Sequence, residues 1–339
     1  MASHRPFEVL VVGCGHIAGG FDMARAPGLP PLSHAGAFTQ HGGFRIKACV
    51  DSNENQRKEF ARHWGVISCA ADLDTLDICS GAFDVISICT PTTFHHQHIA
   101  QALALQPRVI FCEKPLTSDE GLSAELIQAC RMQNVALVVN YSRRWDPTVA
   151  EFVSQIHDGR WGLVRSVVGH YNKGIFNNGS HMVDLLLRLL GPLQMVATTH
   201  TEFDFWQDDP TVAVLLTAAN GSIPVYLNPA HARDFSHFEL EIVCELGVIR
   251  MLSGGMAWQF RNVVSSPHFS GYMTLDSFSH VDGRYMETMA RAIEDIYLHL
   301  QSGTPVGSTG ESALQVQKLC SQIYRDAMTK SMPECLIKG

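Results

Sequence analysis

Residues 11–20 read VVGCGHIAGG, and within them Gly13, Gly15 and Ala18 fit the spacing G-x-G-x-x-A. After an apolar run, the first glycine permits a tight turn and the second lets the main chain approach a pyrophosphate. The small third residue lets a helix pack closely on the strand, and the N–H groups at the helix start face the phosphates. An acid at the end of the following strand completes such a site by accepting hydrogen bonds from ribose hydroxyls. Asp51, which closes FRIKACVD, fits that role. A carboxylate there repels a 2′-phosphate, so the pattern favours NAD(H) over NADP(H). Arg57 is the nearby cation that would soften the preference. Asp51 lies 38 residues after Gly13, against a usual spacing of about 20. The excess falls in FDMARAPGLPPLSHAGAF, which holds three prolines and reads as a loop inserted into the first helix or just after its first turn.

Other reactive side chains carry less. The 10 cysteines include no C-x-x-C pair and are scattered through apolar segments, among them Cys49, Cys89, Cys112, Cys130 and Cys244. They read as small buried hydrophobes in a reducing cytosol, so the expected location is cytoplasmic. Of the 17 histidines, the densest group is FHHQHIA, with His95, His96 and His98. No Glu or Cys stands at zinc-site spacing beside it, so no metal is expected, and the group reads mostly as helix surface. Arg143 and Arg144 in NYSRRWDP suit either a bidentate grip on an anionic group or structural ion pairs.

These residues need elements to hold them. FEVLVVG, FRIKACVD, FDVISICTP, RVIFCEK and VALVVNY are five strand patterns, and helical patterns separate them from residue 55 onward. Their nearly continuous Val, Ile and Cys content fits parallel strands buried on both faces in βαβ units. After about residue 142 the rhythm changes. VRSVVGHY, MVATTHTEF, TVAVLLTAA, SIPVYLNPA, HFELEIVCE and GVIRMLS follow as strands, interrupted by one apolar helix, HMVDLLLRLLG. Two amphipathic helices, at 283–303 and 311–330, close the chain. The expected fold is a Rossmann dinucleotide-binding domain over 1–141 and an open, mainly antiparallel α+β domain over 142–339.

The bulk properties agree. Hydrophobic residues make up 46% of the 339, charged residues only 17%, and the formal net charge is −8. That argues against a nucleic-acid partner, which calls for a basic face. No apolar run approaches a membrane span, and FEVLVVG reads as a buried strand rather than part of a signal peptide.

Five stretches carry a family resemblance: GCGHIA, ICTPTTFHHQHIAQAL, FCEKPLT, NYSRRWDP and GIFNNGSHMVDLLLRLLG. Together they resemble the glucose–fructose oxidoreductase/inositol dehydrogenase (Gfo/Idh/MocA) family over nearly the whole chain. The resemblance implies that Lys114, the lysine of Glu-Lys-Pro, lies between nicotinamide and substrate, where its ammonium hydrogen-bonds the reacting hydroxyl and favours loss of the proton as hydride leaves. Glu113 would help to hold the cofactor ribose and the lysine. His16 and Ile17, with Gly13 and Gly15, and the Thr90, Pro91 and His95 of the TPxxxH stretch would complete the cofactor set. Thr92 stands there where the family commonly has asparagine. In the second-domain motif D-x-G-x-H-x-x-D, His181 becomes the general acid/base and Asp184 orients it or its helix. The first Asp is Asn177 here, and an amide cannot relay a proton. Proton transfer then narrows to Lys114 and His181. Asn177, Asn178, Arg144, Tyr141 and Asp184 become the substrate set. Read without the resemblance, Lys114 is a surface lysine at a strand end and His181 a helix-start residue beside a capping Ser180.

The same resemblance implies reversible alcohol–ketone interconversion on a sugar or sugar-like ring, with the carbohydrate in the cleft between the domains. A nucleotide sugar comes first and a homo-oligomer, dimer or tetramer, forms through the C-terminal sheet. Two alternatives stand beside it. One is a glycoside-cleaving relative that regenerates its NAD in each cycle. The other is a regulator that binds NAD(H) without turnover.

Overall fold

The computed structural model describes residues 5–77 and 80–331. They fall into two compact units. One runs through Asp146 and takes up Met286–Leu314; the other holds Pro147–Tyr285 and the chain from Gln315 on.

The first unit is built from β1 (Phe7–Val12), α1 (His34–His41), β2 (Phe44–Val50), α2 (Glu54–Trp64), β3 (Ser68–Ala70), β4 (Val85–Ile88), α3 (Thr92–Ala104), β5 (Val109–Cys112), α4 (Glu120–Met132) and β6 (Ala136–Val139). All six strands are parallel, in the order β3-β2-β1-β4-β5-β6. This is the doubly wound Rossmann order, and it reverses between β1 and β4, where such sheets bind ligands. Every residue of β4 and β5 is buried, which is why these strands read as unbroken apolar runs. Sequence periodicity missed β3, whose three residues are too few to show a pattern.

The inserted segment follows one wide helical turn, His16–Gly20, so it enters just after the first turn. Its last five residues are not loop: they open α1, where Ser33 Oγ accepts the Gly36 N–H at 3.2 Å. Asp22 clasps the loop shut by accepting the N–H groups of Leu32 (3.0 Å) and Ser33 (2.8 Å) and the Ser33 hydroxyl (2.5 Å). A side chain at Gly36 would collide with the Asp22 carboxylate.

The second unit contains α5 (Pro147–His157), β7 (Val164–Tyr171), α6 (Ser180–Leu190), β8 (Leu193–Glu202), β9 (Thr211–Ala218), β10 (Ile223–Pro229), β11 (Phe238–Cys244), β12 (Gly247–Leu252), β13 (Ala257–Ser265), β14 (Met273–Leu275) and β15 (Ser279–Asp282). The sheet order is β14-β13-β12-β11-β7-β10-β9-β8, with β15 paired to β13. Every strand pair is antiparallel except β7 with β10. The α+β expectation therefore stands. Burial alternates residue by residue along β11 and β12, as it must in a sheet with one face on a core.

Sequence reading passed over α5 and β13–β15. The α5 signal was present: Pro147 suits a first helical position, and Val149, Phe152, Val153 and Ile156 recur at helical spacing. Phe152 stacks on Trp258 of β13, ring centroids 4.6 Å apart, so the two omitted elements cover one another.

The expected second domain of 142–339 loses a segment to the first unit. Helix α7 (Thr288–Ser302) carries Met289, Ala292, Ile293, Ile296 and Leu300 at three- and four-residue spacing. That stripe joins the core that includes Phe38, Phe44 and Phe60. Trp145 Nε1 donates to Asp295 Oδ2 at 3.0 Å. Helix α8 (Gly310–Ser331) begins in the first unit and continues into the second.

Among the described residues, no helix is long and apolar enough to cross a membrane. None of the described cysteines is in a disulfide, and all but Cys69 are buried.

Candidate active site

In the first unit the fingerprint lies at the strand-order reversal. Gly13 follows β1 with φ +87°, and a Cβ there would sit 2.9 Å from the Cys89 carbonyl carbon and oxygen and from Thr90 Cγ2. Only glycine meets both demands. Gly13 N–H donates to Val50 O at 2.7 Å, tying the turn to the end of β2. Asp51 faces the same turn. Its Oδ2 accepts Cys14 N–H at 2.7 Å and Gln56 Nε2 at 3.2 Å, and its Oδ1 accepts Asn53 N–H at 2.8 Å. Arg57 donates to the Asp51 main-chain carbonyl. Gly15 precedes the turn in which Ala18 is buried, Ile17 half-buried and His16 exposed, its ring stacked on Phe21 at 5.5 Å. The open main chain at Gly13 and Gly15, the turn N–H groups and the Asp51 carboxylate suit a dinucleotide.

Pro91 lies at the start of α3, and Thr90 Oγ1 pairs with His98 Nδ1 at 2.9 Å. His95 is not helix surface. It is 1% exposed, its Nε2 meets Thr90 O at 2.8 Å, and its Nδ1 meets Pro115 O at 2.9 Å and Leu116 O at 3.2 Å. Its ring nitrogens are thus engaged with main-chain carbonyls, fastening the Lys114–Pro115 turn to the start of α3.

Glu113 and Lys114 leave the end of β5, at the same C-terminal end of the parallel sheet as Gly13 and Asp51. Glu113 Oε1 accepts Asn140 Nδ2 at 2.6 Å and pairs with His34 Nε2 at 2.9 Å. His34 is wholly buried, stacked on Phe111 at 4.4 Å, with Nδ1 2.7 Å from Ser87 Oγ. Burial works against charge on His34, but Cys89 and Glu113 outweigh it and raise its pKa to about 10. Burial likewise opposes the Glu113 anion, yet His34, Asn140 and Lys114 hold its pKa below the ordinary value. Sequence reading assigned His34 only to the insertion; the one local signal was a capping serine followed by the start of a helix. Tyr141 and Arg143 are buried and Arg144 half-buried, with Arg144 Nη1 donating to Gly307 O at 3.3 Å.

In the second unit, Gly174–Gly179 forms a wide turn that runs directly into α6. Gly174 has φ +82°, and a side chain there would strike Asp209. The Asp209 carboxylate accepts Phe176 N–H at 2.9 Å and Asn177 N–H at 3.0 Å. It thereby satisfies donors that a helix start leaves open. A second acid, Asp204, is buried and accepts Lys173 N–H (2.9 Å), Ala232 N–H (3.0 Å) and the Thr211 hydroxyl (2.7 Å). Neither acid was legible in the sequence, where both sit in a polar loop. Ser180 does not cap the helix; its hydroxyl donates to Asn177 O at 2.8 Å. Asn177, Asn178 and His181 are half-buried, and Asp184, three residues beyond His181 on α6, is buried.

Residues 7–141 match the model of a family described as "Oxidoreductase family, NAD-binding Rossmann fold" (GFO_IDH_MocA). Residues 7–141 therefore carry the NAD-binding Rossmann domain of the Gfo/Idh/MocA oxidoreductases. An inositol 2-dehydrogenase from Rhizobium meliloti is 26% identical, with 88% of this chain and 93% of that protein covered. A D-glucoside 3-dehydrogenase from Escherichia coli is 22% identical, with 97% of each covered. Among solved structures, a 3-ketoreductase from Actinomadura kijaniata in complex with NADP superimposes with a TM-score of 0.75. It is 16% identical, and 95% of this chain and 98% of that one are covered. The WlbA dehydrogenase from Bordetella pertussis in complex with NADH and UDP-GlcNAcA gives 0.73 at 18% identity, with 97% and 99% covered. These structures share the fold of both units.

Proposed function

We propose that this protein is an NAD(P)-dependent oxidoreductase that interconverts alcohol and ketone on a sugar or cyclitol ring. NAD(H) is its preferred cofactor, and a nucleotide-activated sugar is the first substrate class. The observation that carries this reading is the gathering of the Gly13 turn, Asp51 and the Glu113–Lys114 pair at the C-terminal end of one parallel sheet. The names of the inositol and glucoside dehydrogenase relatives support a polyol ring.

When bound, the nicotinamide supplies two-electron acceptor and donor chemistry. The chain supplies the rest. Asp51 accepts a ribose hydroxyl. Gly13, Gly15, His16 and Ile17 present main-chain groups to the phosphates, and Thr90 and Pro91 shape the adjoining wall. The Lys114 ammonium donates to the reacting oxygen, stabilises its developing negative charge and so favours loss of the hydroxyl proton as hydride leaves. His181 is the second proton-handling group, and Asn177, an amide, binds a hydroxyl without relaying a proton. Tyr141, Arg144, Asn178 and Asp184 complete the substrate set. His95 acts on the Lys114 turn through main-chain carbonyls rather than on the cofactor. The nine-stranded sheet, with Tyr226 44% and Val196 54% exposed, is assigned to homo-oligomer formation, and the buried cysteines fit a cytoplasmic setting.

The test is mass spectrometry of nucleotide sugars, free sugars and inositols incubated with the protein and NAD or NADH. A change of two hydrogens in one substrate, lost in Lys114→Met, is the expected result. Release of an aglycone without net redox change would replace this reading with a glycosidase. Cofactor binding with no change in any substrate of the panel counts against an oxidoreductase of this substrate class.

A further inference from the structure

We propose that His34, delivered by the inserted loop, is a positioning residue that holds the Glu113 carboxylate in the orientation used beside Lys114. Its cofactor role rests on the function proposed above; the pairing itself does not.

The geometry leaves His34 little freedom. Glu113 can only accept at Oε1 while it is ionised, so His34 Nε2 must donate across the 2.9 Å contact. At the other nitrogen, Ser87 Oγ lies at 2.7 Å and can in turn reach Cys89 Sγ at 3.5 Å. The stack on Phe111 fixes the ring plane. The titratable groups acting on this ring are Glu113 after β5 and Cys89 after β4; Ser87 is its neutral partner, and Asn140 binds the same Glu113 oxygen. The His34 and Asn140 bonds to the Glu113 carboxylate both go to Oε1. Among the described residues, Oε2 is the carboxylate oxygen left for a ligand hydroxyl.

The insertion makes this arrangement possible. Its Asp22–Ser33 clasp fixes the residue immediately before His34, and α1 begins at His34 itself. The loop therefore determines where the imidazole enters beneath the C-terminal end of the sheet. Loss of one member of such a buried pair leaves the other uncompensated, so its effect should appear at Glu113.

Two measurements test this. In the first, the His34 imidazole is followed by NMR as pH rises. It should remain protonated through neutral pH in the native chain, and its midpoint should fall in Glu113→Gln. In the second, NADH affinity is titrated by fluorescence for His34→Gln, Glu113→Gln and the double variant. Each single change should weaken binding about ten-fold and the double change no further, because both break one unit. Additive losses, or unchanged affinity in a folded His34→Gln, would overturn the proposal. If His34→Gln fails to fold, Ser87→Ala removes the Nδ1 contact, together with the longer one to Cys89 Sγ, and leaves the Glu113 contact in place. It should move the His34 midpoint and NADH affinity in the same direction, and no movement in either counts against the role. If the native protein binds neither NADH nor NADPH, the function above fails, and the NMR titration still decides the pairing.

Discussion

His34 Nε2 lies 2.9 Å from Glu113 Oε1, across 79 residues of sequence. A side chain from a proline-rich insertion thus reaches the carboxylate that precedes the candidate catalytic lysine. Both groups favour their charged forms, and this gives the pair a pH signature. The folded pKa of His34 is raised from 6.5 to about 10. Its stabilisation is complete below pH 6.5 and is lost as pH rises through about 10. The folded pKa of Glu113 is lowered from 4.5. Its stabilisation is complete above pH 4.5 and is lost as pH falls through the folded value. Urea melts of the native chain and His34→Gln should therefore differ most between pH 4.5 and 6.5 and converge above pH 10. A difference independent of pH would show that the histidine acts through packing alone.

Gly13→Ala should abolish NADH binding and destabilise the first unit by about 1–3 kcal/mol, since the new methyl meets the Cys89 carbonyl and φ is +87°. Thermal melting beside an NADH titration checks both. Native affinity in this variant would remove the turn from the cofactor site.

Asp51→Ser should shift relative affinity from NADH toward NADPH by about ten-fold or more, by removing the charge that repels a 2′-phosphate. The same change weakens the bond to Cys14 N–H, so stability should fall by about 1 kcal/mol. Parallel titrations with the two cofactors give the ratio. An unchanged ratio would place the selectivity elsewhere.

Lys114→Met should lower turnover on the identified substrate by about a thousand-fold or more while leaving NADH affinity within a few-fold. The measurement is single-turnover kinetics beside equilibrium binding. Retained turnover would reassign the proton transfer, with His181→Ala as the next variant.

Asp209→Ala should destabilise the second unit by about 1 kcal/mol, because Phe176 N–H and Asn177 N–H lose their acceptor. Asp209→Asn, which keeps a carbonyl oxygen, should recover part of that loss. Chemical denaturation of the three proteins separates the outcomes, and equal stability throughout would mean that solvent serves those donors as well.

The sequence by itself determined the elements whose signal is local. Gly13, Gly15 and Ala18 after an apolar run announce a strand turning into a helix, because φ and close packing there constrain residue type at short range. The switch from buried parallel runs to alternating strands after residue 142 was visible for the same reason. Asp51 was found despite the insertion because its place at a strand end is also local. Only the tertiary structure decided what depends on distant partners. The stripe of α7 shows that this helix buries one face, yet not that the face joins the core of Phe38 and Phe60. His95 looked like helix surface until the Pro115 and Leu116 carbonyls were brought against it. Asp209 and Asp204 are polar residues in a loop until the turns they satisfy fold over them. His34 shows the limit most clearly: its charge comes from Cys89 and Glu113 and its orientation from Ser87, Phe111 and Glu113, which belong to two different strand ends. Periodicity reports which face of an element is buried, and only packing chooses what buries it.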